Sequence, residues 1–180
     1  MRKVVLYELL SLDGIAEEPG NWMFDVDQHV FDNLSRIISS QDAVLMGRGT
    51  YDYWVDYWPS SDIEPFASFI NHTTKHVVTS SQPAKQWNDT VLVDAPVTDY
   101  VSGLKLQNGG DIGIHGSISL AQSLLEAGLV DELRLVITPT LAHDGRRLFD
   151  HKDALRRLTL LDAQSTPSGH LLLAYRPLPT

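Results

Sequence analysis

The stretch Ala43-Val44-Leu45-Met46-Gly47-Arg48-Gly49-Thr50-Tyr51 decides how the rest of the chain is read. Four apolar residues in a row suit a short buried strand, and Gly47 ends it. Arg48, a second glycine and Thr50 follow, and a short helix is expected after Thr50. A strand that runs through a glycine turn into a helix is one half-unit of an α/β sheet. The same grammar recurs on both sides. Lys3 to Leu10 is an apolar run ended by Ser11-Leu12-Asp13-Gly14. Val26 to Ser39 places Val30, Phe31, Leu34, Ile37 and Ile38 at helical spacing. A helix is expected over Glu64 to Asn71. Strands are expected over His76 to Thr79, Val91 to Val93, Asp111 to His115 and Leu133 to Thr138. Asp94 and Pro96 are positioned to start a helix bearing Val97, Val101 and Leu104, stopped by Gly109-Gly110. Gly116-Ser117 opens another, with Ile118, Ala121, Leu124 and Leu125 inward and Gly128 as its stop. Leu155 to Ala163 and Leu171 to Tyr175 form a hairpin across Pro167-Ser168-Gly169.

Strands alternating with helices predict an α/β fold with a mostly parallel central sheet, here closed by a C-terminal antiparallel hairpin. The chain has 180 residues, 43% of them hydrophobic, with no linker or repeat, and residues 1–180 read as one domain. The absence of cysteine excludes a disulfide scaffold, Cys-ligated zinc, iron–sulfur clusters and a Cys nucleophile. It also excludes the zinc nucleobase deaminases, which need Pro-Cys-x-x-Cys. A formal net charge of -9 argues against nucleic acid as a partner. Met1-Arg2-Lys3 leads directly into a short apolar run without a cleavage site, so a cytoplasmic protein with no membrane partner is expected.

In parallel sheets ligands sit at the carboxyl ends of strands, which directs attention to four loops. Gly47-Arg48-Gly49-Thr50 offers backbone N–H groups and a guanidinium to a phosphate, and a tight turn with an exposed arginine accounts for the same residues. His115-Gly116-Ser117-Ile118 places a glycine at a helix start, either as a pyrophosphate site or simply as the turn. Thr79-Ser80-Ser81-Gln82-Pro83 offers hydroxyls to ribose or phosphate, or is ordinary turn chemistry. Asp25 and Asp27 stand at a helix start, as caps or as a proton source. His72 and His76 have metal-like spacing, but a strand begins between them, and no metal is expected. Trp54 and Trp58, one helical turn apart, read as packing.

Taken in order, these loops resemble the dihydrofolate-reductase-like superfamily. The nearest likeness is to the reductase domain of the bifunctional riboflavin-biosynthesis deaminase-reductase, as a free-standing domain. Leu124 to Leu133 and Asp144-Gly145-Arg146-Arg147-Leu148-Phe149 also resemble that branch. The resemblance implies a three-layer dihydrofolate-reductase-like fold and NADPH as cofactor. It implies that Arg48 faces the adenosine 2′-phosphate, with Gly47, Gly49 and Thr50 around it and Thr79, Ser80 and Ser81 along the adenosine. His115, Gly116, Ser117 and Ile118 would then hold the pyrophosphate, and Asp13, Gly14 and Ile15 would flank the nicotinamide. The superfamily's acid follows a loop tryptophan by about five positions, which from Trp22 gives Asp27; counting back from Gly47-Arg48 reaches Phe31 and Asp32 instead. Asp27 is the preferred candidate. The implied reaction is reduction of a phosphoribosylamino-uracil. Pterin reduction, as in dihydrofolate reductase, and non-catalytic NADPH binding are the alternatives. The resemblance also implies a homodimer formed near the sheet edge, where Leu171-Leu172-Leu173 lies.

Overall fold

The computed structural model describes residues 1–149 and 155–178. Eight strands form one mixed sheet: β1 (Val4–Ser11), β2 (Gln41–Gly47), β3 (Thr74–Val78), β4 (Thr90–Val93), β5 (Asp111–His115), β6 (Glu132–Thr138), β7 (Leu158–Ser165) and β8 (Leu171–Pro177). Five helices connect them: α1 (Gln28–Ile38), α2 (Arg48–Tyr57), α3 (Phe66–His72), α4 (Val97–Leu106) and α5 (Ile118–Glu126). The spatial order is β4-β3-β2-β5-β1-β6-β8-β7. The first six pair in parallel, and the terminal hairpin joins β6 antiparallel through β8.

Alternation along each strand sorts the core into two faces. On one face Val4, Leu6, Leu45, Ile112, Ile114 and Leu133 pack under α4 and α5. On the other, α1 covers Val5, Tyr7 and Val136, while α2 and α3 cover Val44, Met46 and Val77. Strand buried on both faces explains why the sequence shows apolar runs rather than alternation. Lys75 is enclosed on the second face, and its Nζ donates to the carbonyls of Ile70 and Thr73, which satisfies the end of α3.

Four local expectations are corrected. The helix placed after Thr50 begins at Arg48, because Gly47 is its extended N-cap residue (φ −80°, ψ 162°). The helix placed from Val26 begins at Gln28, with Asp27 as its cap. Asp94 does not cap α4; Pro96 holds that position and no side chain bonds the first turn. The strand at His76 begins at Thr74, so His72 closes α3 with Nδ1 2.8 Å from the Ser68 carbonyl, while His76 meets the Tyr100 hydroxyl at 2.8 Å. The hairpin also differs in what it exposes. β8, with Leu171–Leu173, lies inside the sheet, with Leu171 exposed and Leu172 buried; the outermost strand is β7, where Leu158, Leu160 and Leu161 are exposed. No helix among the described residues is long and apolar enough to cross a membrane.

Candidate active site

The ends of β2, β3 and β5 are tied together by two side chains. The Ser117 hydroxyl accepts from the Gly47 N–H at 3.0 Å and donates to Thr50 Oγ1 at 2.7 Å. Ser117 reaches them because it takes a left-handed conformation (φ 62°, ψ 55°) directly after Gly116, itself at φ 68°. Arg48 joins the third loop. Its Nε bonds both carboxylate oxygens of Asp52 at 2.8 Å, and Nη1 donates to the Ser81 carbonyl and hydroxyl and to the Gln82 carbonyl. Thr79 Oγ1 folds that loop by accepting from the Ser81 N–H. The predicted residues Gly47, Arg48, Thr50, Thr79, Ser81, Gly116 and Ser117 thus belong to one connected group of loops.

Two helices begin in this group. Neither α2 nor α5 has a side-chain cap, and neither carries an acidic residue in its first turn. First-turn N–H groups without such partners, together with the positive end of the helix dipole, suit an anion. The Arg48 guanidinium stands beside them, ion-paired with Asp52 at 2.8 Å. These features fit a phosphorylated cofactor.

The loop after β1 is held differently. Asp13 accepts from the Ser11 hydroxyl at 2.6 Å and from the backbone N–H groups of Ala142 and His143. Those donors hold its carboxyl below the usual carboxylate range. Arg147 donates to the Asp13 carbonyl, and Ile15 pairs with Arg147 in an isolated bridge. Gly14 (φ 86°) makes the turn between them. The Asp13 side chain is therefore engaged in joining two loops; Gly14 offers main chain, and the Ile15 side chain is buried.

Asp27 is fully engaged as well. One oxygen caps α1 through the His29 and Val30 N–H groups; the other accepts from the Ser168 N–H at 3.0 Å and hydroxyl at 2.7 Å. The Ser168 bonds hold it below the usual range, so the fold favours its ionised form. That is the reverse of what a proton donor needs. Asp32 accepts from Gln28 Nε2 on the outside of α1, and Asp25 sits in a left-handed turn. The His115 imidazole is buried among Tyr7, Phe66 and Phe69, and burial pushes its pKa down to about 3. The expectation that His115 contacts cofactor is narrowed accordingly: at the loop it presents main chain, not imidazole.

Two residues went without a role at the sequence level. Arg146 donates to the Ser119 hydroxyl at 2.7 Å, in the first turn of α5, and Arg147 grips the Asp13 loop. The signal was available as consecutive arginines in an acidic chain. Beyond these loops lies a cavity of about 450 Å³ between Glu17, Trp22, Phe24, Leu141 and Asp144; none of the predicted residues lines it.

Residues 2–172 match the family profile of the RibD C-terminal domain. The chain belongs to that family. It is 29% identical to the uncharacterised Bacillus subtilis protein YyaP over 181 residues, covering 97% of this chain and 94% of that one. It is 27% identical to B. subtilis YwjB over 151 residues, 82% of this chain and 83% of the other. Among solved structures it is similar to a putative riboflavin biosynthesis protein from Shewanella sp. PV-4, at TM-score 0.77 and 17% identity, covering 98% of this chain and 99% of that chain. It also resembles the deaminase/5-amino-6-(5-phosphoribosylamino)uracil reductase of Thermotoga maritima, at TM-score 0.70 and 16% identity, covering 98% of this chain but 57% of that longer one. The RibD C-terminal fold is the dihydrofolate-reductase-like arrangement expected from the loops.

Proposed function

We propose that this RibD C-terminal domain protein is an NADPH-dependent reductase acting on a phosphoribosylamino-uracil or a close relative of it. The observation that carries the reading is the convergence of Arg48 with two uncapped helix starts at the ends of β2 and β5. Family membership and the name of the T. maritima structure support the substrate class. Bound NADPH would supply hydride to the sugar carbon, whose ring C–O bond breaks as the released oxygen takes a proton. Arg48 and the first turn of α2 would hold the adenosine 2′-phosphate, with Thr79, Ser80 and Ser81 beside it. Gly116, Ser117 and Ile118, joined by Arg146, would hold the pyrophosphate. Gly14 and Ile15 would border the nicotinamide. Asp27, held ionised, serves the structure by joining α1 to the β7–β8 turn, and the proton comes from elsewhere, water included. That argues against Asp27 as a pterin-type acid and disfavours dihydrofolate as substrate.

Arg48→Ala tests the cofactor assignment. NADPH affinity should fall by about 1–3 kcal/mol, the usual worth of a charge-assisted hydrogen bond, while NADH affinity barely changes. Titration calorimetry with both nucleotides reads this directly, and equal losses would remove Arg48 from the 2′-phosphate. Tight NADPH binding without oxidation of it by any aminopyrimidine substrate would select the non-catalytic reading.

We also place a homodimer contact on β7. An outermost strand bearing Leu158, Leu160 and Leu161 in the open is a surface that folded proteins cover. Light scattering at micromolar concentration should give twice the 20.1 kDa chain mass, and Leu160→Lys should shift it toward the monomer. A monomeric wild type would refute the contact.

A further inference from the structure

The cavity of about 450 Å³ lies between the loop that follows β1 and the loop that follows β6. Hydrogen bonds fix both walls. Buried Trp22 donates from Nε1 to the Glu17 carbonyl at 2.8 Å, and the Thr140 hydroxyl donates to the Trp22 carbonyl at 2.9 Å. The Ala16 and Glu17 N–H groups both bond the Arg146 carbonyl, and the Arg146 N–H bonds Glu17 Oε2 at 3.0 Å. Gly145 (φ 116°) lets the loops close up, since a Cβ there would stand 2.9 Å from Ile15 Cγ2. Asp13 joins the same two loops through the Ala142 and His143 N–H groups, so the cavity adjoins the loop assigned above to the nicotinamide.

The lining has two characters. Trp22, Phe24 and Leu141 make it apolar, and Phe24 and Leu141 are 58% and 57% exposed. Large apolar side chains gathered in the open at one cavity mark a contact surface. Among the described residues, every charged one that lines it is acidic: Glu17, Glu18 and Asp144. The arginines next in sequence turn elsewhere, Arg146 to the Ser119 hydroxyl and Arg147 to the Asp13 carbonyl. A phosphate or carboxylate entering here would meet like charge without a counter-ion. No group of carboxylate and imidazole side chains among the described residues is placed to hold a metal ion. Negative charge spread around aromatic walls suits a larger cation, one with an apolar body to lay against the rings.

We propose that this cavity binds an organic cation: a protonated amine carried on an aromatic or apolar body. The inference goes beyond the reductase reading and does not depend on it. The body of the ligand packs against Trp22 and Phe24, and the ammonium group lies toward the exposed carboxylates of Glu18 and Asp144. Glu17, which already accepts from the Arg146 N–H, shapes the wall. Phosphorylated ligands belong instead at the uncapped starts of α2 and α5, beside Arg48. The two sites thus sort ligands by charge.

The test uses the full chain and three probes of similar shape: the 2-phenylethylammonium cation, neutral 2-phenylethanol and the 3-phenylpropionate anion. Titration calorimetry and tryptophan fluorescence read the binding. The cation should bind saturably at one site, at least tenfold more tightly than the alcohol, and the anion should not bind. The pair Glu18→Gln/Asp144→Asn should weaken the cation tenfold or more and leave the alcohol within twofold, because only charge has been removed. Phe24→Ala should weaken both. These side chains are exposed, so the variants should keep the wild-type melting temperature. No binding of the cation, or equal affinity for cation and alcohol, would overturn the proposal. So would a cation affinity that the variants leave unchanged, which would place the probe elsewhere. Binding of the cation by a wild type that fails to bind NADPH would support the cavity and remove the reductase reading. Should the pair fail to fold, Glu18→Gln alone decides.

Discussion

Glu8→Gln should abolish a fall in stability that the wild-type protein suffers as pH rises from about 6.5 to about 8. Glu8 lies in the middle of β1, 5% exposed, in register with Leu135 of β6, and its Oε2 has no hydrogen-bond partner among the described residues. Burial raises its pKa from 4.5 to about 8, because a carboxylate there would be stripped of water without a cation to replace it. Between those two values the unfolded chain releases the proton and the folded chain keeps it. Glu8 by itself then costs folding about 1.4 kcal/mol per pH unit, about 5 kcal/mol over the whole interval.

His115 acts in the opposite sense. Its pKa is lowered from 6.5 to about 3, so its contribution is complete above 6.5 and is lost as pH falls toward 3. The two slopes cancel between about 4.5 and 6.5, where the wild type should be most stable. Asp13 and Asp27, held ionised by hydrogen bonds, steepen the loss at lower pH. In Glu8→Gln the alkaline loss disappears and stability instead climbs to a level above pH 6.5. Urea midpoints at half-unit steps from pH 4 to 9 would show it. Parallel curves for the two proteins would mean that Glu8 is ionised in the fold.

Gly110→Ala should cost about 2–4 kcal/mol, a value set by overpacking against main chain that cannot give way. A Cβ at Gly110 would stand 2.3 Å from the Ser40 carbonyl oxygen. That oxygen accepts from the Asp111 N–H at 2.7 Å, the bond that starts β5 beside β2. Moving it aside would also disturb the Gly110 N–H bond to Asp42 and the Arg2 bond to the Gly110 carbonyl. For a chain of this size the loss corresponds to a fall of roughly 4–16 °C in Tm. A melting temperature within one or two degrees of wild type would show that the β2–β5 entry can relax.

From the sequence, Gly109-Gly110 was legible only as a helix stop. The pair does follow α4, yet what demands glycine at 110 is Ser40, seventy residues earlier and adjacent only in the folded sheet. The same division runs through the site. Gly116 and Ser117 stood out as a glycine turn opening a helix; that Ser117 also takes a positive φ came only from the structure. Arg48 stood out because glycines flank it. Asp27 was visible as a carboxylate at a helix start, which it is. Its second partner, Ser168, lies 141 residues away, and that partner turns a candidate acid into a held anion. His115 was readable by type but not by face.

What the sequence determined by itself was the order of strands and helices, the loops at the strand ends and the class of the sheet. These follow from apolar periodicity and turn chemistry, which act between residues close together in the chain. The tertiary structure alone decided that β7 rather than β8 is the edge, that Arg146 reaches α5, that Asp13 and Asp27 are occupied, and that His115 looks into an aromatic core. Each of those is a choice of partner for a polar group or a strand edge. Such partners come from distant segments, and burial then sets whether the group is charged or neutral.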